Sequence, residues 1–164
     1  KYIIADKFRL GMPKNLLIVY HSKGGKNAAM AEAVLQGTHH PDIDVDVRFL
    51  KAYEANEDDL LWADGVIFGT PENFGYMSGK LKDFFDRTFY EVEGKVDAKP
   101  YAVFIGTGND GQGALSSIRR ICIGYKFKEA QEPIIVAGDL KQTDLQRCEE
   151  LGMSMAAGVE AGIF

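Results

Sequence analysis

Along this chain, apolar runs of strand length alternate with longer stretches whose apolar residues recur every three or four positions. Leu16-Leu17-Ile18-Val19-Tyr20 is apolar throughout, which predicts a strand covered on both faces. Met30, Ala31, Val34 and Leu35 then recur at helical spacing and predict a helix over 27–36. Residues 43–50 alternate instead. Ile43, Val45, Val47 and Phe49 face one way and Asp44, Asp46 and Arg48 the other, which suits an edge strand with one solvated face. Asn56 stands where it can cap a short helix reaching about Trp62, with Glu57, Asp58 and Asp59 in the first turn. A third strand is expected over 65–68. A helix over 80–90 would set Leu81, Phe84, Phe85 and Thr88 on one face. A strand over 101–105, a helix over 114–123 and a strand over 134–137 follow. A last helix over 140–159 would bury Leu145, Cys148, Gly152, Met155, Ala156 and Val159.

Five strand–helix units with mostly apolar strands predict an α/β fold. The expectation is a doubly wound three-layer sandwich around a five-stranded parallel sheet, order 2-1-3-4-5. Five units are too few to close an eight-stranded barrel. In the doubly wound order, ligands bind outside the carboxyl ends of strands 1 and 3. The loops after strands 1, 3 and 4 should therefore converge.

Composition narrows the class. Of 164 residues, 46% are hydrophobic and 26% charged, as in ordinary globular domains. A net charge of −5 argues against general nucleic-acid binding, and it is modest for an acidic electron carrier. No apolar run approaches the ~20 residues that span a bilayer. No secretory pattern opens the chain, so the cytoplasm is the default expectation. Cys122 and Cys148 fit no metal spacing and fall on apolar helix faces, where buried free thiols are expected. Residues 1–13 lack clear periodicity and read as an N-terminal extension or a cloning remnant. The single domain is expected over 14–164.

The segment 69–79, GTPENFGYMSG, is the most informative loop. Pro71 lacks an N–H and biases Thr70 toward extended geometry, so the strand should stop here. Phe74 and Tyr76 stand among Asn73, Gly75, Ser78 and Gly79. The loop could wall a flat, polar-edged ring, or its aromatics could simply cap the core. After strand 1, 21–27 read HSKGGKN, with a hydroxyl, two glycines and free amides at a helix start. That is a site for a phosphate or an ordinary glycine-rich turn; the spacing is not that of a Walker loop. After strand 4, Gly106, Gly108 and Gly111 formally match G-x-G-x-x-G. The dinucleotide fingerprint belongs to a first βα unit, however, and this is the fourth. The loop suits a backbone surface along a ring edge.

These three motifs together resemble the flavodoxin-like superfamily, in particular the Trp-repressor-binding-protein-like NAD(P)H:quinone oxidoreductases and related NAD(P)H-dependent FMN reductases. Ser22, Gly25 and Met30-Ala31 match the phosphate loop of that branch; 69–87 resembles its G-T-P-x-x-[FY]-G-x-M-S-G segment; 99–113 resembles its fourth strand and glycine-rich loop. The resemblance implies FMN, with NAD(P)H as electron donor. Ser22, Gly24, Gly25, Lys26 and Asn27 would hold the phosphate. Thr70, Pro71, Glu72, Asn73, Phe74 and Gly75 would line one side of the ring, and Thr107, Gly108, Asn109, Gly111 and Gln112 the other. Tyr76 and Phe74 would shape the acceptor pocket. Asn27 stands where flavodoxins commonly carry a hydroxyl, and Lys23 and Lys26 depart from both branches.

The implied activity takes hydride from NAD(P)H and passes electrons to a quinone or similar acceptor, with no catalytic side chain and no metal. A flavodoxin-type carrier serving a redox partner protein, or a non-catalytic FMN-binding regulatory domain, stands as the alternative. Ring-capping loops in this superfamily often meet a neighbouring subunit, so a homodimer is also an expectation. Glu72 and Asp110 are acids expected near the ring, where they would disfavour an anionic reduced flavin. His39 and His40 sit in a polar loop, and His21 borders the phosphate loop.

Overall fold

The structure, a computed structural model, describes residues 11–164. The expected extension therefore lies, apart from residues 11–13, outside the described residues. In chain order the elements are β1 (Lys14–Tyr20), α1 (Lys26–Thr38), β2 (Val45–Lys51), α2 (Glu57–Trp62), β3 (Gly65–Asn73) and β4 (Tyr76–Met77). Then come α3 (Gly79–Val92), β5 (Pro100–Thr107), α4 (Gln112–Tyr125), β6 (Lys128–Glu129), β7 (Ile134–Ala137) and α5 (Gln142–Ala161).

The sheet runs β2-β1-β3-β5, and β6 and β7 both lie parallel to β5 on its far side. β6 pairs with the start of β5 and β7 with its end, so the last position is one edge strand interrupted around Pro133. Counted by position, this is the expected parallel order 2-1-3-4-5. β6 carries no periodic signal, because it is two exposed polar residues long.

Alternate strand residues feed opposite cores, as the all-apolar strands require. Leu17, Val19, Val66, Phe68 and Val103 pack with the apolar faces of α3 and α4. Leu16, Ile18, Ile67 and Phe104 pack with α1 and α5. β2 lies at the sheet edge with a half-covered face. Asn56 caps α2, accepting from Asp58 and Asp59, while Asp59 bonds back to the Asn56 amide. Cys122 and Cys148 are buried free thiols, and burial pushes the Cys148 thiol up to about 11. Glycine lets α1 and α5 touch. A Cβ on Gly152 would lie 1.9 Å from the Val34 carbonyl oxygen, and one on Gly37 would lie 1.9 Å from that of Glu149.

β3 does not stop at Phe68. It continues through Pro71 to Asn73 and folds back as β4, pairing Glu72 with Met77 and Asn73 with Tyr76. The proline is tolerated because β1 ends at Tyr20, opposite Gly69, so Pro71 faces a sheet partner only at Gly106 of β5.

Candidate functional site

The carboxyl ends of β1, β3 and β5 bring the three loops together. The first loop wraps the start of α1. Gly25 is the N-cap at φ +93° and offers no side chain, so the first amides of α1 lack a side-chain cap. A Cβ on Gly24 or Gly25 would meet nothing within 4 Å, so the loop borders open space. Beside it, Ser22 Oγ is buried without a hydrogen-bond partner. A buried hydroxyl without a partner is costly, roughly 1–3 kcal/mol. Such a group beside an uncapped helix start has the chemistry to receive an anion.

The other two expected phosphate ligands in this loop have engaged side chains. Asn27 is buried: Nδ2 donates to the Gly106 carbonyl at 3.1 Å, and Oδ1 accepts from the Gly106 amide at 2.9 Å. A Cβ at Gly106 would lie 2.9 Å from Asn27, so the glycine permits the pairing. Lys26 Nζ donates to the carbonyls of Thr107 at 3.0 Å, Val136 at 2.8 Å and Gly138. Only the main-chain amides of Lys26 and Asn27 are left to face the loop. Burial pushes the Lys26 pKa down, against the opposing charges of Asp139 and Asp144.

The second loop is the β3–β4 hairpin. Phe74 at φ +52° and Gly75 at φ +69° are its two turn residues, the signature of a type I′ turn. Gly75 suits the conformation; Phe74 does not, and its ring is fully exposed. Thr70 is buried and structural, its hydroxyl donating to Pro71 O and accepting from the Ser78 amide. Ser78 caps α3 through the Leu81 amide. Tyr76 is exposed. Asparagine at 74 favours this turn with Gly75, so Phe74→Asn is expected to stabilise the protein by about 1 kcal/mol, read as a higher Tm. An unchanged or lower Tm would show that the ring stabilises the tip.

The third loop is tied to the second by Glu72. Its Oε2 accepts from the Ala114 amide at 3.1 Å, inside the first turn of α4, and its Oε1 accepts from Thr107 Oγ1 at 3.3 Å. Thr107 Oγ1 also accepts from the Asn109 amide. Glu72 thus caps α4 from a neighbouring strand. The hairpin tip lies against the same helix start, where a Cβ on Gly113 would meet Gly75 O at 1.9 Å. Gly108, Asn109 and Gln112 are exposed, and Gly111 is the αL cap of α4. Asp110 accepts from the Gln112 amide. Removing the carboxylate in Glu72→Ala is expected to cost about 1–2 kcal/mol in urea denaturation, with Glu72→Gln in between. Equal stability of all three proteins would rule out the cap.

Sequence reasoning missed two neighbours. Lys80, at the start of α3, lies 6.0 Å from the Tyr53 ring in the loop after β2. Burial and the Lys80 charge push the His21 pKa down, so its imidazole is neutral at pH 7. No spacing links 21, 53 and 80 along the chain; the sheet order does. Among the described residues, no group of three or more His, Cys, Asp or Glu could hold a metal, and no helix is long and apolar enough to cross a membrane.

Comparison with known proteins decides the family. The profile of the NADPH-dependent FMN reductases matches residues 15–139. The chain belongs to the NADPH-dependent FMN reductase family. An NAD(P)H dehydrogenase (quinone) of Acidithiobacillus ferrooxidans is 31% identical over 156 residues, 83% of this chain and 76% of that protein. A flavodoxin of Aquifex aeolicus is 29% identical over 160 residues, 88% of this chain and 86% of that one. Among solved structures, an archaeal flavodoxin superposes with a TM-score of 0.78 at 26% identity, covering 88% of this chain and 98% of its own. The chain is thus an FMN-binding oxidoreductase that uses NAD(P)H. The residues present fit such a cofactor. The partnerless Ser22 hydroxyl and uncapped α1 start suit the phosphate, and the loops after β3 and β5 stand beside it.

Proposed function

We propose that this FMN reductase-family protein passes electrons from NAD(P)H to a quinone. It would hold the FMN phosphate on Ser22 Oγ and the main-chain amides of Gly24, Gly25, Lys26 and Asn27. The partnerless Ser22 hydroxyl carries the assignment of that end of the cofactor. Bound FMN would supply the redox chemistry that links a hydride donor to an electron acceptor. Pro71, Glu72, Asn73, Phe74 and Gly75 would line one flank of the ring site, with Thr70 buried behind them. Thr107, Gly108, Asn109, Gly111 and Gln112 line the other. No side chain need move a proton in the transfer.

Phe74 and Tyr76 offer the acceptor a flat apolar wall. An exposed ring held in a conformation that disfavours it is the mark of a contact residue rather than a core residue. The relatives named as quinone dehydrogenases support a quinone as acceptor. Function in the cytoplasm and a homodimer in which a neighbour covers the ring site belong to the same reading.

Titration of the purified protein with FMN, followed by steady-state NADH and NADPH oxidation with a soluble benzoquinone, tests it. Flavin quenching with rapid, quinone-dependent turnover is expected. Quenching without turnover would identify an electron carrier, the reading favoured by the likeness to flavodoxins. Absence of quenching would overturn the FMN assignment itself.

A further inference from the structure

We propose that Lys26 is a positioning residue, a cationic brace that presets the phosphate loop against the ends of β5 and β7 before any ligand arrives. The ammonium group has three N–H donors. It spends them on three main-chain carbonyls, those of Thr107, Val136 and Gly138. These acceptors lie 81, 110 and 112 residues away along the chain. Lys26 is the first residue of α1, directly after the αL Gly25, so the brace is anchored at the turn that exposes the anion-binding amides.

The brace is one side of a continuous network. Asn27 grips Gly106 through both its amide atoms. Thr107 carries the connection onward through its hydroxyl to Glu72, and Glu72 reaches the start of α4 at Ala114. The loop after β1 is thereby joined to the loops after β5 and β7 by side chains of two adjacent residues. A lysine here does not lend its donors to a phosphate, because they are already satisfied. It holds the loop in the binding conformation, so that less ordering is left for the moment of binding.

The proposal rests on the FMN reading for its effect on affinity, but the brace can be read without ligand. Lys26→Ala removes the ammonium and leaves a channel to three converging carbonyls. Lys26→Met fills that channel with apolar atoms. In hydrogen exchange on the ligand-free protein, the amides of 22–27, 106–111 and 136–139 should exchange faster in both variants. Added propylammonium should restore protection in Lys26→Ala but not in Lys26→Met. FMN titration should show about tenfold weaker binding in both variants, with the same selective rescue. A lysine that acted only by packing would be replaced by methionine, and Lys26→Met would then exchange and bind like the native protein.

Unchanged exchange in these three segments overturns the brace. So does loss of protection or affinity that propylammonium does not repair, or a chain that folds only with Lys26 in place. If the native protein fails to quench FMN, the FMN reading fails, while the exchange comparison still decides the brace.

Discussion

Ser22→Ala is expected to weaken FMN binding by 10- to 100-fold while leaving the ligand-free protein as stable as before, or slightly more stable. The two effects have opposite signs for one reason. Ser22 Oγ is buried and has no hydrogen-bond partner in the protein. Its desolvation is a cost to the ligand-free fold, of roughly 1–3 kcal/mol when nothing compensates it. Alanine removes that cost. With phosphate present, the same hydroxyl would donate to a charged oxygen, an interaction worth roughly 1.5–3 kcal/mol, which is about one to two powers of ten in Kd. Flavin quenching gives the Kd, and urea denaturation of the ligand-free variant gives the stability. A Kd within twofold of the native value would place the phosphate elsewhere. A large loss of ligand-free stability would mean that the hydroxyl has a structural partner after all.

Gly152→Ala is expected to cost about 2–3 kcal/mol of stability, in spite of alanine's better helix propensity. The added methyl would stand 1.9 Å from the Val34 carbonyl oxygen, on the backbone of α1 rather than at the tip of a mobile side chain. Two helices in backbone contact can relieve that overlap only by separating. Separation would loosen Met30, Val34, Cys148, Met155 and Ala156, all buried in the core between these helices and the sheet. Propensity returns roughly 1 kcal/mol at most, so packing decides the sign. A lower urea midpoint with an unchanged slope would be the signature. A midpoint equal to or above the native one would show that α1 and α5 can shift apart freely. Gly37→Ala, which meets Glu149 across the same contact, should behave alike.

Several features of the site were legible before folding because they are local. The Gly25 turn, the exposed amides of α1 and the aromatic pair at 74 and 76 follow from residue types at fixed spacing. The length of β3 was not legible. Proline ends a central strand, and only the sheet shows that β1 has already stopped where Pro71 lies. The jobs of Lys26, Asn27, Thr70 and Glu72 were likewise hidden. Each polar side chain could equally have faced a ligand, and each instead bonds to the protein itself.

What the amino-acid sequence determined by itself was the alternation of buried strands and amphipathic helices, and with it the doubly wound sheet and the end of that sheet where loops meet. These follow from periodicity, which is a property of neighbours in the chain. Only the tertiary structure decided which polar groups are spent on the fold and which are left over. Hydrogen-bond satisfaction depends on partners dozens of residues away, so no spacing could show that Lys26 is fully engaged and that Ser22 is not.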